Sequence, residues 1–309
     1  MTSSPPTSTE GAAPARPLAD RWKDLRRRAR FHLVACLSTW IQRQPVTAIP
    51  RLRRLLLKVF PLVFHREARR AAELLPAEFA GRREEILRGM AVNQVMNLLE
   101  IMFYEKLLAA RPDYVRLEGT AILERARQEG RGSIILSGHF GNWELTAYSL
   151  VRAGVPLHVI ARPQAINQMT EFMNGFRQRR GVKVLMANNL SESLKILHQG
   201  LTVGIVSDLD ARERGYRVPF FGRDASFYPT PVILSVRGNA PLIPVFGERQ
   251  PDGSHVVRVG EPVAWERGES MTDRVRKYAA CYEEAIRRRP DLWVWFHERY
   301  AFAHLGRAA

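Results

Sequence analysis

The chain has 309 residues, with 47 Lys and Arg against 31 Asp and Glu, a formal net charge of +16 and a pI near 10.6. That length accommodates one large α/β domain with a substantial core, and so strong a positive excess asks for an anionic partner: nucleic acid, anionic lipid headgroups or an acidic carrier protein. The two cysteines, Cys36 and Cys281, lie far apart without redox- or metal-motif neighbours, which argues against a disulfide framework or a zinc site and fits a reducing setting.

Residues 1–20 are rich in Ser, Thr, Pro, Ala and Gly, contain no apolar segment of signal-peptide type, and are expected to form a disordered tail. From Arg21 to Phe64, basic and apolar residues interleave. Arg21, Lys23, Arg26, Arg27, Arg28 and Arg30 precede the run from Phe31 to Ile41; Arg51, Arg53, Arg54 and Lys58 alternate with Leu52, Leu55, Leu56, Val59, Phe60 and Leu62. No stretch reaches the roughly 20 apolar residues that cross a bilayer. Basic side chains beside Leu, Phe and Trp suit a helix lying in the headgroup interface, and equally a surface helix whose apolar face joins the core. The aliphatic company counts against single-stranded nucleic acid, which asks for stacking aromatics. Residues 66–89 read as a charged helical hairpin. Beyond them Val92, Val95, Met96, Leu99, Met102 and Phe103 recur at helical spacing, with Asn93, Asn97 and Glu100 among them. The stretch 21–110 is expected to be a helical, membrane-associating region and 111–305 an α/β core.

In that core a helix from Thr120 to Gln128, capped by Thr120, is expected to precede the central segment. There Ile134-Ile135-Leu136-Ser137 reads as a buried strand, Gly138-His139-Phe140-Gly141 as a turn, and Asn142-Trp143-Glu144 as the opening of a helix. His139 then sits at the carboxyl end of a strand, the edge where open α/β sheets bind ligands, with glycines on either side to let a substrate approach. The spacing from His139 to Glu144 lets the carboxylate reach back to the ring, fixing its tautomer and raising its basicity as a general base requires. A structural histidine is the commoner outcome for that spacing taken alone.

Leu157 to Ala161 is the next strand candidate, ended by Arg162, whose guanidinium is presented at the same sheet edge before Pro163. A helix follows from Gln168 to Arg180, a strand from Val182 to Met186, a helix from Ser191 to Gln199 opened by a serine cap, and a strand from Leu201 to Val206. Asp208 and Asp210 lie just beyond that last strand. Strands alternating with helices indicate a mainly parallel sheet. Residues 211–218 read as a charged loop, and Phe220 and Phe221 as aromatics beside a turn, one for the core and the other for the wall of an acyl channel. Pro229 to Arg237 reads as a helix, Leu242 to Phe246 and His255 to Val259 as the last strands, and Met271 to Arg288 as a basic terminal helix. Trp293, Trp295 and His297 alternate as on an extended edge anchored in the core.

The segment Gly138-His139-Phe140-Gly141-Asn142-Trp143-Glu144 resembles the H-x4-D/E motif of the glycerolipid acyltransferase superfamily. It has the G-H-x-G-N-W/Y-E/D form of the lipid A late acyltransferases and of their relatives that acylate phosphatidylinositol mannosides. Further blocks agree in order: Arg162-Pro163; Val206-Ser207-Asp208-Leu209-Asp210 with Val218-Pro219-Phe220-Phe221-Gly222 after it; and Pro290 to Arg299, which resembles a closing P-x-x-W-x-W-x-H-x-R. The resemblance implies a single α/β domain with a mainly parallel central sheet flanked by helices. It also implies an O-acyltransferase that moves a fatty acyl group from a thioester on acyl carrier protein or coenzyme A to a hydroxyl of a membrane glycolipid or lysolipid. No metal and no cofactor beyond that cosubstrate are implied. On this basis His139 is the base and Glu144 its orienting acid. Asn142, Arg162, Asp208, Asp210 and Phe221 are the substrate-side residues, with Arg162 facing an oxyanion or a phosphate and the two aspartates structural or positioning the acceptor. The expected setting is peripheral attachment to the cytoplasmic face of the inner membrane, against anionic lipids and without nucleic acid. Two readings stay open beside it: a thioesterase or lipid hydrolase on the same scaffold, and a non-catalytic basic protein of the membrane surface. Ser137 does not lie in a G-x-S-x-G turn, which disfavours a covalent serine hydrolase.

Overall fold

The computed structural model describes residues 18–161, 167–186 and 189–296. The expected tail up to residue 17, Arg162 and His297 lie outside the described residues. The chain divides into two units, one ending at Arg43 and the other starting at Gln44. In the first, helix α1 (Leu18–Arg43) exposes Leu33, Val34, Leu37 and Trp40, of which residues 33, 37 and 40 recur at one-turn spacing on a single face. No helix among the described residues is long and apolar enough to cross a membrane.

The second unit opens with helices α2 (Ile49–Val63), α3 (His65–Leu74) and α4 (Arg83–Ala110). The charged stretch read as a hairpin up to residue 89 divides earlier. Pro76 and a 3-10 turn over Ala77–Arg82 separate α3 from α4, which then runs unbroken through the apolar stripe. Glu84 and Glu85 in its first turn suit the positive end of the helix dipole. Helix α4 is buried on more than one side: Ile86 and Met90 lie on the face that also carries Asn93, Asn97 and Glu100, and Leu99 and Phe103 are buried on the opposite face.

The seven-stranded sheet has the order β1-β9-β8-β2-β5-β3-β4, with strands β1 (Val115–Glu118), β2 (Ser133–Ser137), β3 (Leu157–Ala161), β4 (Lys183–Met186), β5 (Thr202–Val206), β8 (Leu242–Arg249) and β9 (His255–Val259). Every pairing is parallel except β8 with β9. Helices α5 (Ala121–Gln128), α6 (Trp143–Arg152), α7 (Asn167–Arg179), α8 (Leu190–His198), α9 (Thr230–Arg237) and α10 (Met271–Arg288) complete the α/β architecture expected from the alternation. All five residues of β2 are buried, as a central parallel strand covered on both faces requires, and its Ile-Ile-Leu run is continuous rather than alternating for that reason. Two caps differ from expectation. Thr120 makes no side-chain cap at α5, and α8 is capped not by Ser191 but by Asn189, whose side chain accepts from Glu192 N at 3.1 Å.

The stretch 211–218 is not a loop throughout. Beyond a 3-10 turn at Arg212–Arg214, Tyr216–Phe220 forms β6 and pairs with β7 (Arg223–Phe227) as an antiparallel hairpin. The two turn residues, Phe221 and Gly222, both have positive φ, 49° and 72°, which gives the hairpin a turn whose twist matches its strands. Pro219 inside β6 hides the strand in the sequence, since proline is tolerated only at sheet edges.

Candidate active site

The register of β2 on β5 builds the site. Ser133 pairs with Thr202, Ile135 with Gly204 and Ser137 with Val206, so the two strands end level. Two residues past those ends, His139 and Asp208 meet. The ring Nδ1 of His139 lies 2.8 Å from Asp208 Oδ1, and the His139 backbone N–H donates to Asp208 Oδ2 at 2.8 Å. The indole Nε1–H of Trp293 donates to the same Oδ2 at 2.9 Å. The Asp208 side chain is 1% exposed whereas the His139 side chain is 19% exposed, so the acid is buried and the imidazole reachable. Burial by itself would raise the Asp208 carboxyl, but the His139 ring and the hydrogen bonds from His139 and Trp293 outweigh it and hold the group below its ordinary value. An ionised carboxylate only accepts hydrogen bonds, so in the neutral ring the proton resides on Nδ1 and Nε2 carries the lone pair. Trp143 packs its ring edge-on to the imidazole with centroids 4.9 Å apart.

Glu144 does not brace His139. It points into α6 and α7, where its carboxylate receives both Arg177 Nε, at 3.1 and 3.0 Å to its two oxygens, and the Tyr148 hydroxyl at 3.2 Å. The physical reason is helical geometry: as the second residue of α6, Glu144 leaves the turn on the side of α7, and a half-buried guanidinium there is the stronger partner. The expected His139–Glu144 pair is therefore replaced by His139–Asp208, and the aspartate read as structural or acceptor-positioning holds the imidazole instead. Glu144→Gln is expected to lower stability by about 1–3 kcal/mol, because Arg177 stays hydrogen-bonded but loses its counter-charge, and to leave kcat of the folded protein within about threefold, since the His139–Asp208 pair is untouched. Urea denaturation alongside steady-state kinetics checks both parts.

The glycines serve the protein rather than an approaching substrate. A Cβ on Gly138 would lie 3.0 Å from the Tyr282 ring and 3.2 Å from Asp208 Oδ2, so the missing side chain is what lets the carboxylate close on the loop. Gly141, at φ 55°, backs onto the Gly247 carbonyl with no space for a side chain. Asn142 is 2% exposed and works as glue. Its Oδ1 caps α6 by accepting from Leu145 N at 3.1 Å, while its amide donates to Glu100 Oε2 at 2.8 Å and to the Asn97 carbonyl at 3.3 Å. Both amide hydrogens and the side-chain oxygen are thus taken up in the scaffold.

Asp210 is likewise buried, and its Oδ1 accepts from Arg212 N at 2.8 Å, closing the turn after β5. Phe221 joins the core with Phe220. Its ring lies 5.8 Å from Phe79 and 6.1 Å from Trp295, and its N–H is held by the Glu283 carboxylate, so both aromatics pack in the core. Ser137 is buried, and among the described residues no hydrogen bond joins its side chain to His139.

Behind the loop lies a buried polar node where the helical stripe suggests plain core. Glu100 Oε1 accepts from the Tyr114 hydroxyl at 2.7 Å and lies 3.0 Å from His255 Nε2, and both its oxygens meet the Arg249 guanidinium. Arg249 also donates to Asn93 at 2.9 Å and to Asn97 at 3.0 Å, and Asn97 donates to the Gly141 carbonyl at 2.7 Å. Burial would raise the Glu100 carboxyl, but His255 and Arg249 hold it far below its usual range. The spacing of Asn93, Asn97 and Glu100 on one helical face was the available signal; nothing in the sequence pointed to Arg249 as their partner.

The last described residues complete the frame. Gly141 N–H donates to the Leu292 carbonyl at 2.8 Å and Val294 N–H to the His139 carbonyl at 3.1 Å, while Phe140 and Trp293 form an isolated antiparallel bridge. The alternating tryptophans thus run along the histidine loop itself.

Comparison with known proteins places the chain among acyltransferases of lipids. Over 203 residues the chain is 25% identical to the lipid A biosynthesis palmitoleoyltransferase of Escherichia coli and to the lipid A biosynthesis acyltransferase of Shigella flexneri, covering 62% of this chain and 63% of each relative. Over 133 residues it is 25% identical to the phosphatidylinositol mannoside acyltransferase of Mycolicibacterium smegmatis, covering 41% of this chain and 44% of that enzyme. In each case the match spans less than two thirds of the relative's length. The family model for bacterial lipid A biosynthesis acyltransferases matches residues 19–301, so that nearly the whole chain, site included, belongs to that family.

Proposed function

We propose that the protein is an O-acyltransferase that moves a fatty acyl group from a thioester, carried by acyl carrier protein or coenzyme A, to a hydroxyl of a membrane glycolipid. The observation that carries the reading is the His139–Asp208 pair at 2.8 Å, with the acid buried and the base reachable at the carboxyl ends of two adjacent central strands. In the proposed step His139 Nε2 takes the acceptor hydroxyl proton as that oxygen attacks the thioester carbonyl. The carbon–sulfur bond then breaks, and the thiolate leaves with the proton carried by the imidazolium. Asp208 stabilises that imidazolium without itself being protonated. Arg162, outside the described residues, remains the candidate for the oxyanion or a phosphate by its place in the sequence.

The donor and acceptor are tested together by incubating the purified protein with labelled acyl thioesters and candidate glycolipid and lysolipid acceptors. Label appearing in a lipid ester only when acceptor is present supports transfer. Release of free fatty acid at the same rate without acceptor makes the protein a thioesterase instead.

Peripheral attachment to an anionic bilayer belongs to the same reading. Helix α2 exposes Leu55, Val59, Leu62 and Val63 on one side, with Arg51, Arg54 and Lys58 exposed along it. Apolar side chains flanked by cations are the pattern of an interfacial helix. Replacing both Leu55 and Leu62 by glutamate is expected to cut partitioning onto vesicles containing phosphatidylglycerol at least about tenfold, given about 1.5–3 kcal/mol for each buried leucine. Vesicle sedimentation measures it, and unchanged partitioning removes α2 from the attachment.

A further inference from the structure

We propose that Trp293 is a positioning residue for the transfer reaction, its indole N–H fixing the Asp208 carboxylate in the orientation that holds the His139 ring. The inference rests on the function proposed above and goes beyond it by assigning a role to the closing tryptophan block. Three donors converge on the carboxylate. The His139 ring takes Oδ1, and the His139 backbone and Trp293 share Oδ2 at 2.8 and 2.9 Å. With the indole removed, Oδ2 keeps only the backbone donor, and a carboxylate held by one residue alone can rotate about its χ2 bond, a broad torsion for aspartate.

Trp293 is itself fixed. It is 1% exposed, lies edge-on to Trp295 with centroids 4.6 Å apart and to Phe220 at 5.9 Å, and bridges Phe140 through the backbone. The segment that carries it is pinned at its start. Asp291 accepts from the Asn93 amide of α4 through its carbonyl, at 3.0 Å, and through its side chain, at 3.1 Å. A buried tryptophan satisfies its N–H wherever an acceptor is near; here the acceptor is the acid of the dyad, while Trp295 a short step away uses the Pro290 carbonyl at 2.7 Å. Of two neighbouring indoles in one core, one closes its own turn and the other reaches the site.

Among the described residues, the groups facing Asp208 from the elements around it are His139 from the loop after β2, Tyr278 and Tyr282 from α10, and Trp293. Burial pushes both tyrosines up, so neither supplies charge near neutrality. The Tyr282 hydroxyl is engaged with the Ser137 carbonyl at 2.8 Å and that of Tyr278 with the Tyr228 carbonyl at 2.6 Å. Among the described residues, neither hydroxyl stands ready to replace the indole.

The test is Trp293→Phe, which keeps an aromatic ring in the core and deletes the N–H. Kinetically, kcat is expected to fall about 10- to 100-fold with KM little changed, the size of one hydrogen bond to a charged group. The low-pH limb of kcat/KM, which reports the His139–Asp208 pair as a unit, is expected to move to higher pH. Carbon-13 carboxyl NMR on the protein without substrate reads the same effect independently of turnover: the Asp208 signal titrates at higher pH in the variant than in the wild type. An unmoved carboxyl titration overturns the inference, whether or not activity falls. If the carboxyl moves and the wild type transfers no acyl group, the positioning stands and the proposed reaction fails. Should Trp293→Phe not fold, the wild-type indole N–H resonance decides. It is expected to shift as Asp208 titrates, and an indole indifferent to that titration refutes the contact.

Discussion

Replacing His139 by alanine is expected to lower kcat for acyl transfer by about 10²–10⁴-fold, the range that a positioned general base contributes. KM for the thioester should change little, because in the proposed step the ring acts on the acceptor hydroxyl and not on the acyl chain. The fold should survive: the imidazole is partly exposed, and the backbone N–H and carbonyl of residue 139, which tie the loop to Asp208 and Val294, are untouched by the substitution. Circular dichroism and denaturation beside the kinetics separate loss of chemistry from loss of structure. A variant that transfers acyl groups at the wild-type rate means that the base lies elsewhere.

Asp208→Asn is the second large effect, and it works through geometry rather than through volume. The amide has nearly the shape of the carboxylate but only one acceptor oxygen. If that oxygen keeps the Trp293 and His139 backbone donors on the Oδ2 side, the amide nitrogen faces the ring and forces Nδ1 to become an acceptor. The ring proton then moves to Nε2, and the lone pair that takes the acceptor proton in the proposed step is gone. The same substitution in a catalytic triad elsewhere costs about 10⁴-fold in kcat, and a loss of that order is expected here. The pH dependence of stability changes as well. The folded Asp208 carboxyl sits below its ordinary value of 3.8, so its contribution is complete above that value and is lost as the pH falls through the folded value. Urea melts taken at decreasing pH should show that acid-side loss in the wild type and less of it in Asp208→Asn.

Much of the architecture was legible because its signals are local. Leu157–Ala161 and Met271–Arg288 appear with the bounds expected from apolar run and helical period, and β2 is the buried strand its Ile-Ile-Leu run announced. The hairpin of β6 and β7 was not, since Pro219 and the arginines on its exposed face look like loop and its turn uses a phenylalanine at positive φ. The position of His139 at the sheet edge was readable for the same local reason. Its partner was not. Glu144 is near in sequence, but the helix that starts at Trp143 carries it toward Arg177, whereas Asp208 is remote in sequence and is delivered by strand register. Once β2 and β5 are recognised as neighbours, residues two past the ends of each fall together, so the missing information was strand order and not residue chemistry. Asn142 and Phe221 show the complementary point: in these motif residues, read as substrate contacts, the structure shows side chains that build the turn and the core.

The most direct measurement sets two carboxylates against each other: kcat for acyl transfer in Asp208→Asn and in Glu144→Gln, assayed together with the folded fraction of each fixed by denaturation. Asp208→Asn should be nearly inactive while the folded Glu144→Gln stays within about threefold of the wild type, because Asp208 and not Glu144 holds the His139 ring, the proposed base. A Glu144→Gln protein that is folded but inactive, beside an active Asp208→Asn, would contradict the account.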